Sequence, residues 1–180
     1  FNINSSEKVR IDSSGRLLVG TTTEGSSAAD DLTISGSGEV GMTIRSTNSS
    51  QCNIFFSDGT SGAAEYAGVI RYDHSTNSMR VWTNGDSEKL RIDSSGRVLI
   101  GSTTADDAAQ MLKVARTSGT SKLAIQAAND GSSQLDFADV ADADIGRIQY
   151  DHNSDYMAFF TNNGERVRIS SAGNVGINQN

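Results

Sequence analysis

One cysteine is all the chain has. A single thiol, Cys52, excludes an intrachain disulfide and any cysteine cluster that would hold zinc or iron–sulfur. Aromatic residues make up 6% of the 180 positions and hydrophobic residues 36%, both low for a domain that must build its own core. No run of about 18 apolar residues occurs, so neither a membrane-spanning helix nor membrane insertion is expected. Basic residues are outnumbered, 15 against 22 acidic, for a net charge of −7. That balance argues against a nucleic-acid partner, whose phosphates demand a basic footprint. The chain opens at Phe1 with no basic-then-apolar leader, which reads as a fragment or a processed product.

Glycine (18 residues) and serine (26) are plentiful, proline is absent, and the glycines and serines punctuate repeats. Residues 7–23 read EKVRIDSSGRLLVGTTT, residues 88–104 EKLRIDSSGRVLIGSTT, and residues 165–178 ERVRISSAGNVGIN. The box thus recurs after 81 and then 77 residues. Between boxes, residues 68–85 (GVIRYDHSTNSMRVWTNG) match residues 146–164 (GRIQYDHNSDYMAFFTNNG). A weaker match joins residues 32–46 to residues 112–127. The organisation expected is a first β-repeat over 1–87, a second over 88–164, and the opening hairpin of a truncated third over 165–180.

Within each repeat the apolar residues alternate. Val9 and Ile11, then Leu17 and Val19, flank Asp12-Ser13-Ser14-Gly15, which predicts strand, tight turn, strand. Gly15 is free to take the positive φ such a turn needs. Residues 69–72 and 79–82 predict a second hairpin. Residues 32–34 and 42–44 read as a further pair around the Gly36/Gly38 turn, and residues 51–56 and 134–137 as single strands. Residues 105–113 leave a short helical turn open, with Asp106 or Asp107 as cap, and residues 28–31 leave a similar one. The fold class expected is all-β, built from repetitive β-hairpin units. Isolated hairpins are marginal in water, and open edges associate unless covered. Cyclic association of identical chains would close the edges and pool the thin apolar faces; the number of chains does not follow from the residues.

The box, the YDH…M…TNG segment and their alternation resemble phage tail-fibre proteins of the marine and cyanobacterial phage type. In these, G-x-I-x-Y-D-H…M-x-F-x-T-N-G-x-E-R-M-R-I-x-x-x-G-N-V-G-I-G recurs before an intramolecular chaperone domain. The resemblance runs from Glu7 to Ile177. It implies an elongated, intertwined homotrimeric fibre, a shaft segment that positions a receptor-binding tip for host attachment. The implied partners are the chain itself, other virion tail proteins and, through the wider fibre, a host cell-surface glycan or protein. The implied location is the virion, hence extracellular. Arg16 and Arg97 depart from the pattern, which has Asn after the turn glycine. Two other readings remain: an extracellular adhesin or filament subunit with the same repeats, and a polysaccharide-degrading tailspike.

Residues that could carry chemistry are few. His74 and His152 occupy matched positions, as axial metal ligands around a symmetry axis or as plain turn residues. Asp12 and Asp93 could offer oxygen to calcium; the simpler reading is an Asx-type turn, and Ser170 stands in the third copy. A glycosidase needs two carboxyls held at fixed separation. The repeated Glu7, Glu88 and Glu165 instead each sit beside a basic residue. Together with Arg10, Arg91 and Arg168 they are expected to form inter-strand or inter-chain ion pairs near the surface. The Gly36 and Gly59 stretches lack the Lys-Ser/Thr of a phosphate loop. Most aromatics recur between repeats and read as core; Tyr66 and Tyr156 do not and are the candidates for surface recognition. Cys52 reads as a small buried hydrophobe. No enzyme activity, catalytic residue, metal or cofactor is expected.

Overall fold

Alternating apolar residues bounded by turn residues become antiparallel hairpins in both halves of the chain. The structure is a computed structural model that describes residues 1–85 and 87–178, with sixteen strands and one short 3-10 turn, Gly62–Tyr66. The protein is all-β. It divides into two units, Phe1–Lys113 and Val114–Asn180.

In the first unit, β1 (Asn2–Ile3) and β2 (Ser6–Glu7) form a small hairpin. Next, β3 (Val9–Ile11), β4 (Leu17–Val19) and β5 (Leu32–Ile34) form a three-stranded sheet. A six-stranded sheet follows: β6 (Gln51–Phe56), β7 (Gly68–Asp73), β8 (Ser78–Thr83), β9 (Glu88–Ile92), β10 (Val98–Ile100) and β11 (Leu112–Val114), each beside the next. The second unit carries a five-stranded sheet: β12 (Ser132–Phe137), β13 (Gly146–Asp151), β14 (Tyr156–Thr161), β15 (Gly164–Ile169) and β16 (Val175–Ile177). Strands β6–β10 and β12–β16 are the same antiparallel meander, matched pair for pair in register. The three-stranded sheet repeats its last part: Leu17 N donates to Asp31 O as Val98 N donates to Met111 O, each at 2.8 Å.

The box turns explain the hairpins. Asp93 Oδ1 accepts the amides of Ser95 (2.9 Å) and Arg97 (3.1 Å), and Arg97 Nε donates to Oδ2 at 2.7 Å. Asp12, Ser14 and Arg16 repeat the arrangement. In the third copy Ser170 Oγ accepts the Asn174 amide at 3.2 Å. Asp and Ser at the first turn position thus both accept the backbone amide four residues on, and the Asp adds an ion pair with Arg16 or Arg97. The turn glycines Gly15, Gly96 and Gly173 all take φ near +80°, at +84°, +77° and +80°, a region closed to most side chains.

Three local expectations are corrected. Residues 32–34 do not pair with residues 42–44. Instead β5 lies parallel to β4, with Leu17 opposite Leu32 and Val19 opposite Ile34. The connection over residues 20–31 has the dozen residues a parallel return needs. Residues 105–113 form no helix, because side chains capture the amides first: Gln110 Oε1 accepts Asp106 N at 3.0 Å and Asp107 Oδ1 accepts Ala109 N at 2.7 Å. Residues 28–31 form no helix either. Glu88 opens β9 in the same sheet as β8, so that sheet runs across the start of the second box.

Candidate functional site

Residues directly opposed across a sheet share a face, so the registers sort every side chain. One face of the six-stranded sheet carries Ile54, Ile70, Val81, Leu90 and Ile100 in one row. The next row is Cys52, Tyr72, Met79, Ile92 and Val98. The five-stranded sheet presents Leu135, Ile148, Phe159, Val167 and Ile177 in the first row. Its second row is Ser133, Tyr150, Met157, Ile169 and Val175. Within one chain these faces are open. Met79 is 39% and Ile92 41% exposed, and Val175 and Ile177 reach 63% and 70%. Continuous apolar surface of this kind marks an interaction site.

The opposite face is polar, and it is the covered one. Val69, Asp73, Ser78 and Leu99 lie there, each 4% exposed or less. Arginine stems roof it: Arg71 stacks on Trp82 at 4.1 Å, Arg147 on Phe160 at 4.6 Å, and Arg168 on Tyr156 at 3.7 Å. Arg80 reaches Asp73 at 3.1 Å. The Asp73 carboxylate accepts from Ser75 (2.6 Å) and Gln51 (3.2 Å). The Ser75 hydroxyl, aided by Gln51 and Arg80 against burial, holds Asp73 at about 2, below its ordinary range.

The box ion pairs each join residues three apart within one copy of the box, inside β9 and β15 and from β2 to β3. In an unbroken strand, residues three apart point to opposite faces. Here Val81 opposes Leu90 but Trp82 opposes Glu88, leaving Lys89 as an extra residue; Phe159 and Phe160 treat Arg166 alike. Each bulge returns Glu and Arg to a common face. Glu88 takes Arg91 through both oxygens (2.7 and 2.9 Å), as Glu165 takes Arg168 (2.8 and 2.6 Å) and Glu7 takes Arg10 (2.5 and 2.7 Å). The Arg10 and Arg168 hydrogen bonds hold Glu7 and Glu165 below the usual carboxylate range. One inter-strand contact joins them, Arg80 Nε to Glu88 Oε2 at 3.8 Å. The bulge has no signature in the apolar alternation, which is why sequence reasoning missed it.

The remaining candidates sit apart. His74 and His152 follow β7 and β13 at the hairpin turns. His74 Nε2 lies 3.5 Å from Cys52 Sγ, and His152 Nε2 lies 2.8 Å from Ser133 Oγ. Each ring is edge-on to the tyrosine two residues before it, at 4.9 Å and 5.1 Å. Among the described residues no three His, Cys, Asp or Glu side chains converge as metal ligands do. Cys52 is half-buried, and its thiol donates to Ile44 O at 3.2 Å. Tyr66 packs on Phe55 at 6.3 Å. One face of the Tyr156 ring is covered by Arg168.

Total exposure is large. The chain presents 12790 Å² to solvent. A folded monomer of this mass presents about 8,400 Å², and two separate bodies with the masses of the two units about 10,000 Å². At least about 2,700 Å² is therefore uncovered beyond what a finished fold shows, several times the roughly 800 Å² each partner contributes to a standard interface. No protein-family model matches this chain, and no curated protein matches it.

Proposed function

We propose that this chain is a structural segment of a phage tail-fibre shaft, homotrimeric and non-enzymatic, that positions a receptor-binding tip for host attachment. One observation carries the reading: two matched sheets each leave the same apolar face open. A solitary chain with such faces would aggregate; identical chains arranged cyclically bury them against one another. Repetition then supplies length, and the shared core supplies stiffness. The polar faces, roofed by arginine, and the Asx turns keep the outside soluble. Separating such chains requires breaking the core at many repeats at once, which gives kinetic stability. The elongated, intertwined fibre, the virion location, the contacts with other tail proteins and the host glycan or protein recognised through the wider fibre all come from the resemblance.

Antibodies raised against the segment test the reading on purified virions by immunogold imaging. Label along tail fibres is expected. Label confined to cell envelopes would overturn it in favour of a surface adhesin.

A further inference from the structure

We infer that residues 40–45 and residues 121–126, which lie outside any strand in the single chain, are strands supplied to a neighbouring copy, where they add to the outer edges of β6 and β12. The inference rests on the self-association proposed above and names the backbone contacts that would close it.

The stretches have the composition of strands. Val40, Met42 and Ile44 alternate with Gly41, Thr43 and Arg45; Leu123 and Ile125 alternate with Lys122, Ala124 and Gln126, 81 residues further on. Such period-2 patterning specifies a half-buried strand. Met42 and Leu123 nevertheless stand in solvent, at 60% and 71% exposure, while Ile44 lines a groove with Cys52, Ile54 and Tyr72 of its own chain. Among the described residues, no backbone amide from 36 to 46 or from 115 to 127 donates a hydrogen bond. Backbone groups beside apolar side chains seek partners when those side chains are buried.

Matching acceptors exist in equal number. β6 and β12 are the outermost strands of their sheets. Each is six residues long, the length of each stretch. Each carries large apolar residues, Ile54 and Phe56 or Leu135 and Phe137, on the face left open. A long apolar edge of this kind templates strand addition. The turns between stretch and edge are already formed, Ser50 N to Thr47 O at 3.2 Å and Gly131 N to Ala128 O at 2.9 Å. Yet in neither repeat does the backbone of the stretch pair with its own edge; the first stretch is hydrogen-bonded to β6 only through the Cys52 thiol, which donates to Ile44 O at 3.2 Å. With two free stretches and two six-residue apolar edges per copy, a cyclic assembly in which each copy gives to one neighbour and receives from the other matches every stretch with such an edge.

The test uses the native thiol of Cys52 on β6. Cysteine is placed singly by Met42→Cys, Thr43→Cys, Ile44→Cys and Arg45→Cys, and each assembly is oxidised. Native mass is read by light scattering and covalent species on a denaturing, non-reducing gel. The unsubstituted chain sets the Cys52–Cys52 background. The expected result is an unchanged native mass with covalent multimers from at least one position and not from its neighbour. An unchanged mass with disulfides only inside single chains, or with none from any position, overturns the exchange and leaves the association through apolar faces standing. A native mass of one chain overturns both.

Discussion

Ile54, Ile70, Val81 and Leu90 on the open face of the six-stranded sheet are answered by Leu135, Ile148, Phe159 and Val167 in the five-stranded sheet. Every exchange keeps a large apolar side chain. On the covered face the same comparison gives Arg71 and Gln149, Arg80 and Ala158, Leu99 and Gly176. There these positions change chemistry, while Asp73 and Asp151, Glu88 and Glu165, and Arg91 and Arg168 keep it. A polar face need only satisfy itself, so a group can change when its partner changes, as Asp93–Arg97 becomes Ser170–Asn174. An apolar face that meets another surface answers to that surface at every position. Under the proposed reading, the side of the sheet that keeps its apolar rows is the one a neighbouring copy covers.

Breaking the open face should have the largest effect. Ile70→Asp or Ile148→Asp would bury an unpaired carboxylate in the shared core at about 3 kcal/mol or more per chain. Both are expected to lower the native mass measured by light scattering. Arg71→Gln, which gives the six-stranded sheet the residue its counterpart already has, should leave that mass unchanged. Next is Leu99→Ala, at a site with no exposure in the single chain. It should cost about 3 kcal/mol, read as a lower urea midpoint, with lost amide protection in β9 and β10 but not in β15 and β16.

Acid should separate the sheets further. The Asp73 carboxyl titrates at about 2 in the fold. A depressed carboxylate contributes stability above its unfolded value near 3.8, and that stability is lost as pH falls through the folded value. The urea midpoint should therefore drop between about pH 4 and pH 2, by an amount equivalent to about 2 kcal/mol at most. Asp73→Asn should flatten the drop. The smallest effect is expected at the box turn. Asp93→Ser or Arg97→Asn alone strands its partner, whereas the double substitution rebuilds the Ser170–Asn174 turn. A double-mutant cycle on the melting temperature should show the pair recovering what either single change loses.

The hairpins were legible in the sequence because their causes are local. Period-2 alternation places Val9 and Ile11 on one face, and an Asx residue three positions before a glycine closes the turn. The acceptance of backbone amides by Asp12 and Asp93 follows from the same local geometry. The parallel seat of β5 beside β4 was not legible, since it depends on where a twelve-residue connection returns. Nor was the side of the strand on which Glu88 and Arg91 meet. One extra residue, Lys89, decides that, and a basic residue in a strand looks the same whether it is paired or bulged. Sorting residues onto an open and a covered face required the registers themselves.

The central claim is that the open faces are buried by other copies of the chain. The native mass of the purified segment by light scattering tests it most directly. About 57 kDa, three chains under cyclic symmetry, is the predicted result. A folded particle of 19.0 kDa, the mass of one chain, would contradict it.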